Sequence, residues 1–233
     1  MEIDWIRPSS KEAVKGLLSK YQLDIFIGSV HHVHTIPIDY DRKLYVDARE
    51  KAGGIDQKLF EDYFDLQYEM LKALKPPIVG HFDLIRLMSD HPDAVFSRSA
   101  VVWEKILRNL EIITGYGGVI ELNSAALRKG MKEPYPTAEI CKVLWVLIGA
   151  RHEWLTRLQE FLAMGGNFTL SDDSHGTSHV GTNYGKLPDF IERIDLHVIT
   201  IFEKNATTGD DCFPGVSKKT VPVANIRDHP IFY

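Results

Sequence analysis

Residues 23–30 read LDIFIGSV and run directly into His31 and His32. The run is mostly apolar, rich in β-formers and of strand length, so it predicts a short buried strand that ends in two imidazoles. Outward from this stretch the same arrangement recurs. In residues 57–75 (QKLFEDYFDLQYEMLKALK), Leu59, Tyr63, Leu66, Met70 and Leu74 fall at helical spacing, and Pro76-Pro77 stops the helix. Residues 77–81 (PIVGH) then form a second predicted strand, again delivering a histidine. Residues 99–114 predict a helix, Gly117-Gly118 breaks it, and VIELN predicts a third strand ending at Asn123. After the turn-rich RKGMKEPYP comes a predicted helix over 137–164, closed by Gly165-Gly166. NFTLSDDSH (167–175) predicts a fourth strand and IDLHVITIFEK (194–204) a fifth, with an irregular remainder to Tyr233. Strands alternating with helices predict an α/β fold built on a parallel sheet, in which ligands gather at the carboxyl ends of the strands.

The chain has 233 residues, 27 Lys+Arg against 32 Asp+Glu, a formal charge of −5 and 44% hydrophobic residues. These values predict one globular domain over 1–233. No Lys/Arg run exceeds the length of Lys218-Lys219, so nucleic acid is not expected as a partner and a small molecule is. No apolar run approaches the roughly 20 residues needed to span a bilayer, so no membrane partner is expected. The opening MEIDWIRP has neither a basic n-region nor an apolar h-region. Cys141 and Cys212 can form at most one bridge, and a reducing, cytoplasmic compartment is the expectation. Oligomeric state is not legible.

The polar residues fall where the strands end: His31 and His32, His81, Asn123, then Asp173 with His175. A barrel or doubly wound sheet would gather such positions, and imidazoles mixed with carboxylates suit Zn, Mn or Fe. Each has a bland alternative. An isolated DSH also reads as a turn with its aspartates capping backbone amides. The HHVH run at 31–34 also reads as a polar strand exit, and His81 as a helix-start residue satisfied by Asp83. Strand alternation would turn His31 and His32 to opposite sides, leaving one as a ligand and the other as a substrate contact. His91 reads as a surface turn residue, His152 and His229 as residues of a helix and the tail, and His197 as a residue inside a strand.

GSVHH, GHFD and SDDSH in this order, with ELNSAALRKGMKEPYP before the last, resemble the PHP superfamily of metal-dependent phosphoesterases, and within it the histidinol-phosphatases. The resemblance implies a distorted (β/α)7 TIM-like barrel with up to three divalent ions at its mouth, Zn, Mn or Fe. It also implies hydrolysis of L-histidinol phosphate in histidine biosynthesis. On the matching motifs, Glu2 resembles the metal-bridging glutamate, His31 and His81 further ligands, and Asp173 with His175 the last pair. Arg128 falls where the family binds phosphate, and His32, Asn123 and His179 are the implied substrate contacts. Glu2, Asp173, His175 and Arg128 form the implied catalytic set.

Two departures stand out. The family's HxH strand would lie before Glu2, so the N-terminal βα unit is expected to be missing, fewer metals bound and activity impaired. Residues 143–156 (VLWVLIGARHEWLT) read as an insertion between AEICK and LQEFLAMGG. An internal start and an unspliced segment would account for both, and the transcript sequence distinguishes them from evolved features. The rival functions are a catalytically inactive metal-binding PHP fragment and a PHP phosphoesterase acting on nucleotides.

Overall fold

The computed structural model describes residues 1–21, 23–142, 167–204, 216–227 and 229–230. Two compact units divide the chain, Met1–Gly118 and Val119–Tyr233. In both, parallel strands lead into the polar residues singled out by the sequence. No helix among the described residues is long and apolar enough to cross a membrane.

In the first unit, β1 (Glu2–Asp4), β2 (Ile27–Ser29) and β5 (Ile78–Val79) lie side by side and parallel, with Glu2 opposite Ile27, Asp4 opposite Ser29 and Gly28 opposite Val79. Parallel neighbours need a crossover. Helix α1 (Ser10–Lys20) supplies one between β1 and β2. Between β2 and β5 the chain makes a hairpin, β3 (His32–Val33) with β4 (Ile36–Pro37), followed by helices α2 (Arg42–Ala52) and α3 (Asp56–Leu74). The hairpin turn places His34 and Thr35 at φ 54° and 66°, the positive pair that a type I′ connection requires. Helix α3 matches its predicted extent and buries Leu59, Tyr63, Phe64, Met70 and Leu71. It packs on α4 (Ala100–Gly115), whose first turn is capped by Ser99 Oγ accepting from Val102 N–H at 3.4 Å.

Strands β2 and β5 are shorter than their apolar runs suggest. Of residues 23–30 only 27–29 are strand, because only there do β1 and β5 offer backbone partners. Of 77–81 only Ile78 and Val79 pair. Strand β2 accepts no side chain at its centre: a Cβ on Gly28 would stand 2.7 Å from the Pro76 ring.

In the second unit β6 (Val119–Asn123) pairs in parallel with β7 (Asn167–Ser171) through all five residues. Strand β6 leads into a one-turn helix α5 (Ala125–Arg128), and α6 (Ala138–Lys142) follows. The rest of the helix expected over 137–164, the 143–156 insertion, His152 and Cys212 lie outside the described residues. Helix α7 (Leu187–Arg193) precedes β8 (Val198–Lys204), which is antiparallel to β9 (Val216–Pro222). This corrects two expectations. The 194–204 strand belongs to an antiparallel ladder, and the tail is not wholly irregular: VSKKTVP forms β9, and α8 (Ala224–Arg227) follows it. Adjacent Lys218 and Lys219 break the apolar alternation by which an edge strand is recognised. His197 lies just before β8, its carbonyl accepting from Val223 N–H at 2.8 Å.

Candidate metal centre

Strand β1 turns Ile3 into the core and carries Glu2 and Asp4, two residues apart, on its other face. From β2 the chain passes the buried Val30 to His31, whose Nε2 stands 3.6 Å from Glu2 Oε1. From β5 it passes Gly80 to His81, which is 3% exposed and sets its Nε2 3.0 Å from the same oxygen. The rings of His31 and His81 meet edge to face with centroids 4.6 Å apart. One ligand atom from each of Glu2, His31 and His81 lies within 4.8 Å of the other two. Imidazole nitrogens and a carboxylate oxygen converging in this way fit a divalent ion of the Zn, Mn or Fe type.

The backbone is shaped around this convergence. His81 adopts φ 20°, and a Cβ on Gly80 would fall 2.2 Å from Ser29 Oγ, so the segment bearing His81 lies hard against β2. Asp83, which the sequence offers as a partner for His81, accepts from Arg86 Nε at 3.0 Å.

The electrostatics favour the charged forms of Glu2 and His31. Burial alone would raise the Glu2 carboxyl, but the hydrogen bond and charge of His81, with Ser29 and His31, bring it down to about 2. Burial would lower the His31 imidazole, and it is outweighed by a contact with Asp4 and the charges of Asp39, Glu2 and Asp4, which raise it. Asp4 is likewise lowered by His31 and His32 against the opposing effect of burial.

His31 and His32 do not face opposite ways. Asp4 Oδ1 lies 3.4 Å from His31 Nδ1 and Oδ2 lies 2.7 Å from His32 Nδ1. Strand β2 ends at Ser29 and β3 begins at His32, so no continuous strand runs through the pair to impose alternation. Asp4 is a residue of this site that sequence reasoning missed. Its signal is the spacing itself: Glu2 and Asp4 stand two apart on one strand, which turns both side chains to the same face.

In the second unit, NFTLS is strand but DDSH is not, since β7 ends at Ser171. Asp172 caps the loop in the manner of the turn reading, its carboxylate accepting from Ser174 Oγ at 2.6 Å and from Gly181 N–H. Asp173 adopts φ 50°, and its carbonyl lies 2.9 Å and its carboxylate 3.6 Å from His175 Nδ1. His175 is 72% exposed at its side chain, and its N–H donates to His179 Nδ1 at 3.4 Å. Arg128 grips the same loop, donating from Nη1 to the Asp172 carbonyl at 3.2 Å and from Nη2 to the Asp173 carbonyl at 3.3 Å. Asn123 is buried, its Nδ2 donating to Glu121 Oε1 at 2.7 Å while its Oδ1 accepts from Ala125 N–H at 2.8 Å. His91 is exposed, as is His229, and His197 Nε2 faces Asp195 at 3.3 Å.

Residues 1–125, which contain Glu2, His31, His81 and Asn123, match the PHP domain. The chain is 37% identical over 226 residues to the probable histidinol-phosphatase of Schizosaccharomyces pombe, covering 97% of this chain and 67% of that protein. The chain belongs to the PHP-domain histidinol-phosphatase family. A second PHP relative, the histidinol-phosphatase of Saccharomyces cerevisiae, is 32% identical over 255 residues, covering all of this chain and 70% of its own length. This PHP chain thus spans about two thirds of the length of these relatives. Its α/β fold is similar to that of the Lactococcus lactis histidinol phosphate phosphatase solved with zinc, L-histidinol and phosphate. The TM-score is 0.55 at 14% identity, over 86% of this chain and 67% of that one.

Proposed function

We propose that this chain hydrolyses L-histidinol phosphate to L-histidinol and inorganic phosphate, using divalent ions held by Glu2, His31 and His81 in the first unit and by Asp173 and His175 in the second. The convergence of Glu2, His31 and His81 within 4.8 Å carries the reading, and the yeast relatives support it. The metals are of the Zn, Mn or Fe class, up to three in the full family site, and the barrel is of the distorted (β/α)7 kind.

When bound, such ions would neutralise phosphoryl oxygens and acidify a nucleophilic water. The chain's own groups prepare the rest. Glu2, with its carboxyl near 2, stays anionic through the neutral range and offers full charge to a cation. Arg128 braces the loop that carries Asp173 and His175, and its guanidinium has five donors in all, enough to hold two carbonyls and still reach a phosphate oxygen. His32, Asn123 and His179 are the proposed substrate-side residues, and a histidine supplies the proton that the departing alkoxide requires. No covalent phosphoenzyme is needed.

The test is phosphate release from L-histidinol phosphate by purified protein loaded with Zn or Mn. Activity that falls at least 100-fold in Glu2→Gln and in His175→Ala is the expected result, as for removal of one member of a catalytic set. Zinc uptake without hydrolysis would instead support the inactive metal-binding rival, and faster turnover of a nucleotide would support the nucleotide phosphoesterase.

A further inference from the structure

Asp4 lies outside the ligand group, yet its carboxylate is shared between two successive histidines. Oδ1 accepts from the backbone N–H of His31 at 3.0 Å and lies 3.4 Å from that ring's Nδ1, while Oδ2 stands 2.7 Å from His32 Nδ1. A neutral imidazole carries a proton on one nitrogen and a lone pair on the other. A carboxylate facing Nδ1 favours the proton there and leaves the lone pair on Nε2, which in His31 is the nitrogen turned toward Glu2. Asp4 and Glu2 ride on one three-residue strand, whose register against β2 fixes both relative to the residues entering His31. The ligand and its neighbour's orienting group are therefore set by one backbone segment.

We propose that Asp4 is a positioning residue: it selects the Nδ1-protonated form of His31 and His32 and aims the His31 ring, thereby raising the affinity of the centre for a divalent ion. The inference rests on the metal-centre half of the reading above and needs nothing of the substrate. The simpler possibility, that Asp4 only caps the turn after β2, makes a different prediction. Asp4→Asn keeps the size and a carbonyl oxygen for the His31 N–H, so a mere cap would survive it.

The test compares wild-type protein with Asp4→Asn by two measurements. The first is zinc affinity, read by competition with a chromophoric chelator. The second is the long-range ¹H–¹⁵N spectrum of the imidazoles in metal-free protein, at a pH above the histidine titration range. Zinc affinity is expected to fall 10- to 100-fold, the usual effect of removing an orienting partner. The His31 and His32 signals, Nδ1-protonated in the wild type, are expected to move toward the Nε2-protonated form. Both changes together support the inference, and either one alone overturns it. Wild-type spectra showing His31 protonated on Nε2 also overturn it, with no variant required. Failure of zinc-loaded wild type to hydrolyse L-histidinol phosphate would remove the proposed activity but leave both readouts intact.

Discussion

Single atoms decide much of the site. Gly80 offers no ligand atom, yet an added methyl would stand 2.2 Å from Ser29 Oγ and 2.9 Å from Ile27 Cγ2. Gly80→Ala is therefore expected to cost about 1–3 kcal/mol, as overpacking usually does. It should also weaken zinc binding by displacing His81, and thermal melts with and without zinc will check both effects. Glu2 gives a pH prediction for the metal-free protein. Its carboxyl ordinarily titrates at 4.5 and here titrates at about 2, so the folded state favours the anion. That stabilisation is fully present above 4.5 and is lost as the pH falls through 2. Glu2→Gln should thus flatten the acid limb of the stability profile, measured by urea unfolding from pH 2 to 6; an unchanged limb would count against the contact with His81.

At the scale of elements, the segment after β5 is tied to the helices by buried polar contacts. Tyr63 Oη and Gln67 Nε2 of α3 donate to the Phe82 carbonyl at 3.2 and 2.9 Å. Asn109 Nδ2 of α4 donates to Gln67 Oε1 at 3.0 Å and to the Phe64 carbonyl at 2.8 Å. Asp83 and Arg86, with side chains 0% and 2% exposed, form an ion pair in this segment, and Arg86 Nη1 also lies 4.0 Å from Asp93 Oδ1. Asp83→Ala takes from the buried Arg86 guanidinium its nearest carboxylate and is expected to lose about 3–5 kcal/mol, whereas the Asp83→Leu/Arg86→Leu double variant should lose much less. Chemical denaturation of both variants checks this. The GHFD motif therefore serves two ends, with His81 facing Glu2 and Asp83 fastening the chain behind it.

For the whole molecule, a ligand that binds only the folded chain stabilises it by mass action. Zinc at 100 times its dissociation constant should contribute about 2.7 kcal/mol, and chelation should remove it. Calorimetry with and without a chelator will show the shift, and an unchanged melting temperature would argue against a preformed centre. The sequence by itself determined the alternation of strands and helices from α3 to β6, the extents of α3, α4 and β6, and the placement of His31, His81, Asp173 and His175 beyond strand ends. Those features follow from local periodicity and stop signals, which are properties of neighbouring residues. Tertiary structure alone decided that β2 and β5 shorten to their paired residues, that β8 is antiparallel to a lysine-bearing β9, and that His31 and His32 turn to one carboxylate. Pairing depends on which backbone lies alongside, and ring orientation on a partner 27 or 28 positions away. Glu2 and His81 meet across 79 positions for the same reason: parallel strands bring their ends together by register, a relation that no short window of sequence contains.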